Sequence, residues 1–97
     1  MHALLHAIAQ MDTLPTDAQR LFHGRGGLHP GCEHLALDFY PPVWVLTSFQ
    51  ALGSAELAAV DAALTQRMAQ MAPEQALNWV YQCRAEATKA ETRLMAG

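Results

Sequence analysis

Charge is scarce in this sequence. Only 15% of its 97 residues are Asp, Glu, Lys or Arg, and the formal net charge is −3. Six Lys and Arg residues on an acidic chain speak against a strongly basic nucleic-acid binder held by bulk electrostatics. Cysteine is scarcer still. Cys32 and Cys83 are too few for a disulfide scaffold. No apolar run approaches the roughly 20 residues that span a bilayer. The first ten residues, MHALLHAIAQ, have no basic leader, and histidines interrupt their apolar stretch, so they do not read as a secretory signal. These absences point to a soluble protein of a reducing cytoplasm, with no membrane partner.

Apolar side chains, in contrast, are plentiful. Hydrophobic residues make up 52% of the chain, which excludes a disordered polymer. The length suits one domain with a modest core and falls short of most complete cofactor-binding enzyme folds. Leu4, Ala7, Ile8 and Met11 share one helical stripe, which predicts a helix over 2–11. Pro15 breaks it, and Thr16 with Gln19 resembles a capping box for a short turn of helix over 17–20. Leu21 and Phe22 open a first strand. Gly24, Gly26, Gly27, Pro30 and Gly31 then define a loop.

Beyond the loop, Leu35, Leu37 and Phe39 alternate with His34, Ala36, Asp38 and Tyr40, as in a half-buried strand. After Pro41 and Pro42, Val43, Val45, Thr47 and Phe49 alternate with Trp44, Leu46 and Ser48. Apolar residues in both sets predict a central strand covered on both faces, paired with its predecessor as a hairpin. Ser54 reads as an N-cap. Leu57, Val60, Leu64, Met68 and Met71 then form a helical stripe that ends at Pro73. Residues 76–84 alternate again, with Leu77, Trp79, Tyr81 and Cys83 on one side and Asn78, Val80, Gln82 and Arg84 on the other. A polar turn over 86–90 and a short strand over 91–95 complete the order. The expected fold is α+β: a small, mostly antiparallel sheet of about five strands, with one long amphipathic helix on a face and an N-terminal helix before it. Residues 1–19 form the helix and turn, and 20–97 the strand-strand-strand-helix-strand-strand module.

The densest polar cluster is His23, His29, Cys32 and His34. Imidazole and thiolate are zinc ligands, yet HPGCEH matches no standard zinc spacing, and the four are only weak metal candidates. Cys32 with His29 or His34 is a conceivable nucleophilic pair, but nothing in the sequence supplies the pocket or orienting partner. Glu33 and Asp38 are an unpromising acid–base pair, because residues five apart on a strand point to opposite faces. Asp38 is better read as bonding a side chain or a turn amide near the hairpin. The GRGG run at 24–27 offers backbone N–H groups and Arg25 to a phosphate, but lacks the lysine of a P-loop. Trp44, Trp79 and Tyr81 read as core or cross-strand packing ahead of base-stacking platforms.

Arg20, Leu21-Phe22, Gly24, Pro30-Gly31, the strand ending Leu35-Ala36-Leu37-Asp38, and the apolar strand Val43 to Phe49 follow one another in an ordered run. That run resembles the N-terminal substrate-recognition module preceding the catalytic domain in a family of S-adenosylmethionine-dependent methyltransferases. These are related to the enzymes that methylate cytosine C5 in large-subunit ribosomal RNA. A helix and two strands follow in the family, as residues 54–97 do here, so the resemblance spans about residues 20–97. It implies an accessory domain that helps to position RNA and is not catalytic alone. S-adenosylmethionine is implied only for a longer parent, and no methyl-transfer residue carries over. The chain is then either part of such a methyltransferase, missing its catalytic domain, or a standalone binding domain.

The leading expectation is therefore an RNA- or substrate-recognition domain in which Arg20, Arg25, Arg84 and Lys89 meet phosphate. The first alternative is a protein–protein or homo-oligomerisation module, since an incomplete domain exposes apolar surface and sheet edges. The second is a small metal- or thiol-dependent enzyme built on Cys32 and the nearby histidines.

Overall fold

A computed structural model describes residues 2–24, 34–86 and 89–97, with backbone alone for 85, 86 and 89–91. Its order is α1 (His2–Ala9), β1 (Gln19–His23), β2 (Leu35–Tyr40), β3 (Val43–Ser48), α2 (Ser54–Met71), β4 (Trp79–Glu86) and β5 (Lys89–Ala96). The five strands form one sheet in sequence order. All neighbours are antiparallel except β3 and β4, which run parallel because α2 carries the chain back between them. This is the α+β fold that the periodicities predict.

Period-two alternation sorts the sheet into two faces. Phe22, Leu35, Leu37, Phe39, Trp44, Leu46, Trp79 and Tyr81 are buried and join Leu57, Val60, Leu64 and Met68 of α2 in one core. Leu4 and Ile8 of α1, with Met11 just beyond it, join the same core. Both helices therefore lie on one side of the sheet. The opposite side carries no helix among the described residues.

Four expectations change here. The Thr16–Gln19 pattern makes no helix, because Gln19 and Arg20 are already paired with Phe39 and Asp38 in the sheet. Ser54 is the first helical residue. The cap is Gly53, whose N–H donates to Glu56 Oε1 at 3.0 Å, so the acidic residue does the capping from inside the first turn. The central strand β3 is covered on one face only, with Trp44, Leu46 and Ser48 buried and Val43, Val45 and Thr47 half-buried. The last strand spans eight residues rather than the shorter 91–95, since its pairing with β4 continues to both ends.

Polar bonds pin the helices and loops to this core. The indole N–H of Trp79, on a fully buried side chain, donates to Asp61 Oδ1 at 2.8 Å and couples β4 to α2. Tyr81 OH shares a 2.7 Å bond with Ser48 Oγ and accepts the N–H of Leu52 at 3.0 Å, which holds the β3–α2 connection. Arg67 Nε donates to the Met11 carbonyl at 2.7 Å, tying the end of the α1 segment to α2. Removing a partner from a buried donor costs about 1–3 kcal/mol. Asp61→Ala is therefore expected to lower unfolding stability by about 1–3 kcal/mol in urea titration. Asp61→Asn, which keeps an acceptor oxygen for Trp79, should retain most of it.

Candidate functional site

The helix-free face of the sheet is not flat. Ala36 on β2 and Val45 and Thr47 on β3 have short side chains and sit side by side in register, Ala36 opposite Thr47. Longer side chains surround them: Arg20 and His23 from β1, Tyr40 from β2, Phe49 after β3, and Gln82 and Arg84 from β4. Short side chains inside a ring of long ones leave a concavity of about 260 Å³. Tyr40 is 52% exposed and Phe49 43%. Large aromatic surface thus borders the same hollow as two arginines.

A β-bulge assembles one wall. In a regular strand, residues three apart face opposite ways. Here the register slips between Arg20 and Phe22, so Arg20 pairs with Asp38, Phe22 with Leu37 and His23 with Ala36. The extra residue, Leu21, packs toward the core, and Arg20 and His23 arrive on the same open face.

Arg20 is held there by three bonds from three different nitrogens. Nε donates to Asp38 Oδ1 at 2.7 Å and Nη2 to Asp38 Oδ2 at 3.2 Å. Nη1 donates to His23 Nδ1 at 2.8 Å. A guanidinium has no acceptor, so His23 must accept at Nδ1 and carry its ring proton on Nε2. The hydrogen bond to Asp38 raises the pKa of Arg20 above its already high value, with desolvation opposing and the carboxylate's charge adding to the rise. Arg20 is a fixed cation. Its side chain remains 50% exposed, whereas that of Asp38 is 10% exposed. Arg84 forms no ion pair among the described residues. Two arginines and one aspartate line the hollow, so its lining carries a net formal charge of +1 on a chain of net charge −3.

Two of the four arginine and lysine candidates, Arg20 and Arg84, thus converge on one hollow although 64 positions separate them in the chain. Arg25 lies outside the described residues, as do Gly26, Gly27, Pro30 and Gly31 of the loop and His29 and Cys32 of the polar cluster. Lys89 opens β5 opposite Glu86 by backbone register. Gly24 closes β1 through its N–H to the Leu35 carbonyl at 2.9 Å. His23 belongs to the arginine wall, and His34 precedes β2, where its carbonyl accepts the N–H of Phe49 at 2.9 Å. Among the described residues, no three His, Cys, Asp or Glu side chains converge as metal ligands. Trp44, Trp79 and Tyr81 are buried in the core, in keeping with packing rather than base stacking.

Asp38 bonds a side chain, in line with the expectation, and that side chain is Arg20. Tyr40, Phe49 and Gln82 were not singled out from the sequence as functional. The signal that could have found them was present: Tyr40 and Gln82 occupy the alternating set opposite the core residues of their strands, and Phe49 continues that set just beyond β3. No family model matches this chain, and no curated protein or solved structure is significantly similar to it. Among the described residues, no helix is long and apolar enough to cross a membrane.

The Arg20–Asp38 pair is unequal in burial, so its two halves should differ in cost. Arg20→Ala strands a nearly buried carboxylate and is expected to destabilise by about 2–3 kcal/mol. Asp38→Ala leaves a half-exposed guanidinium that water can solvate, and should cost about 1 kcal/mol. Thermal unfolding of the two variants measures the difference. Equal losses would show that burial of Asp38 does not govern the pair.

Proposed function

We propose that this chain is an accessory RNA-recognition domain that engages RNA through the helix-free face of its sheet. The observation that carries the reading is the convergence of Arg20 and Arg84, with exposed Tyr40 and Phe49, around one hollow. Phosphate contacts supply affinity and register, and they require cations on an accessible surface. Charge separation explains how a chain of net charge −3 can present one. The proposal also takes up the expected resemblance, in residue order, of residues 20–97 to the module beside a methyltransferase catalytic domain. In it, S-adenosylmethionine and methyl transfer belong to a separate catalytic domain, and the chain alone is a binding module of the cytoplasm.

Fluorescence anisotropy with a labelled RNA, titrated with salt, tests the proposal. For single strands the slope of log affinity against log salt is about −0.7 per neutralised phosphate. A phosphate contact from Arg84, whose charge has no ion-pair partner among the described residues, predicts a slope of about −0.7, and Arg84→Ala should remove it. Absence of binding at about 50 mM salt would overturn the proposal.

A second reading, self-association, is favoured by the opposite edge of the sheet. Among the described residues, strand β5 pairs only with β4, and its Leu94 is 68% exposed. On the other, helix-bearing face a groove of about 380 Å³ runs between α2 and β5, with Leu52, Leu57 and Met95 beside Asp61 and Arg93. An unpaired edge with apolar side chains invites strand addition. Sedimentation equilibrium is expected to show a dimer that Leu94→Lys dissociates. A monomer at high concentration would remove this second reading.

A further inference from the structure

The open face holds more than charge, and its parts are arranged for a planar ligand. Arg20 is anchored at Nε, Nη1 and Nη2, so the orientation of its guanidinium plane is set before any ligand arrives. Half of that side chain is still in water. Tyr40 lies two residues along β2 from Asp38, the register partner of Arg20, and is therefore its diagonal neighbour on the same face. The floor between the walls is short, with Ala36, Val45 and Thr47 beside the nearly buried Asp38 carboxylate that Arg20 occupies. His23, with its proton on Nε2, adds a donor at one wall, and Gln82 adds a donor and an acceptor at the other. Arg84 stands beyond Gln82 as the cation without an ion-pair partner among the described residues.

Resting on the RNA reading above, we infer that the hollow takes a single unpaired base of an RNA strand. The base stacks against the Arg20 plane and Tyr40, polar groups at His23 and Gln82 meet its edge, and Arg84 meets a flanking phosphate. Planar groups suit this site because a fixed guanidinium and an aromatic ring both offer flat surface at little cost in ordering. A phosphate alone would use Arg84 but leave Tyr40 and the exposed face of Arg20 unused. A-form duplex keeps its bases stacked inside and presents mainly backbone and 2′-hydroxyls, so it cannot fill a hollow of about 260 Å³. Charge complementarity favours an anionic strand over an apolar partner, because two arginines against one aspartate line the hollow.

The test compares a labelled single-stranded 12-mer RNA with the duplex of the same sequence, for the wild type and for Tyr40→Phe, Tyr40→Ala and Arg84→Ala. Circular dichroism checks that each variant is folded, and the exposure of Tyr40 and Arg84 predicts that it is. Single strand should bind more tightly than duplex. Tyr40→Ala should lower single-strand affinity about ten-fold with an unchanged salt slope, and Tyr40→Phe, which keeps the ring, should stay within about two-fold of wild type. Arg84→Ala should shift the salt slope instead. Duplex binding as tight as single strand, or a Tyr40→Ala variant indistinguishable from wild type, overturns the base-slot inference and leaves the RNA reading standing. Absence of binding by either RNA at low salt overturns both.

Discussion

Burial of Trp44, Leu46, Trp79 and Leu37 beneath the helices decides which side of the sheet meets water. Along a strand the side chains alternate, so committing one set to the core commits the other set to the opposite face. A slip of one residue in β2 or β3 would send Asp38 or Thr47 inward and Leu37 or Leu46 out. The apolar stripe of α2 makes that slip costly, because each large side chain withdrawn from the core would lose roughly 1.5–3 kcal/mol of burial. The open face, and with it every residue of the candidate site, inherits its composition from this choice.

The helix that covers the core face also sets the topology. Because α2 returns the chain across the sheet, β4 joins β3 in parallel, and β5 then pairs on its far side so that β4 is not an edge. That places Gln82 and Arg84 next to the hairpin formed by β2 and β3. An antiparallel continuation from β3 would have needed only a short turn and would have brought a different sequence beside Thr47. The Trp79–Asp61 bond and the Tyr81 bonds to Ser48 and Leu52 secure the crossover at its two ends.

Electrostatics on the open face follow from unequal burial. Asp38 is nearly enclosed and needs its partner, whereas Arg20 satisfies it and keeps half its surface in water. The pair therefore consumes the negative charge more completely than the positive one. Its other product is rigidity. A long, rotamer-rich side chain held at three points loses its ordering entropy during folding, so that cost does not fall on a binding event.

Element type was legible in the chain wherever apolar spacing was sustained. Leu57, Val60, Leu64 and Met68 specify a helix, and Leu35, Leu37 and Phe39 specify a strand, from periodicity alone. Both were legible because burial acts on every repeat and leaves a periodic trace. The same alternation had already set Val80, Gln82 and Arg84 against the core residues of β4. Three things left no such trace. The bulge at Leu21 turns Arg20 and His23 to one side, and a single extra residue has no period. The parallel neighbour of β3 depends on where α2 sets the chain down. The hollow depends on Ala36, Val45 and Thr47 lying in adjacent strands, a relation between residues distant in sequence. Local propensity and patterning thus determined the elements and their inward faces, while pairing across the sheet decided which polar side chains share a site.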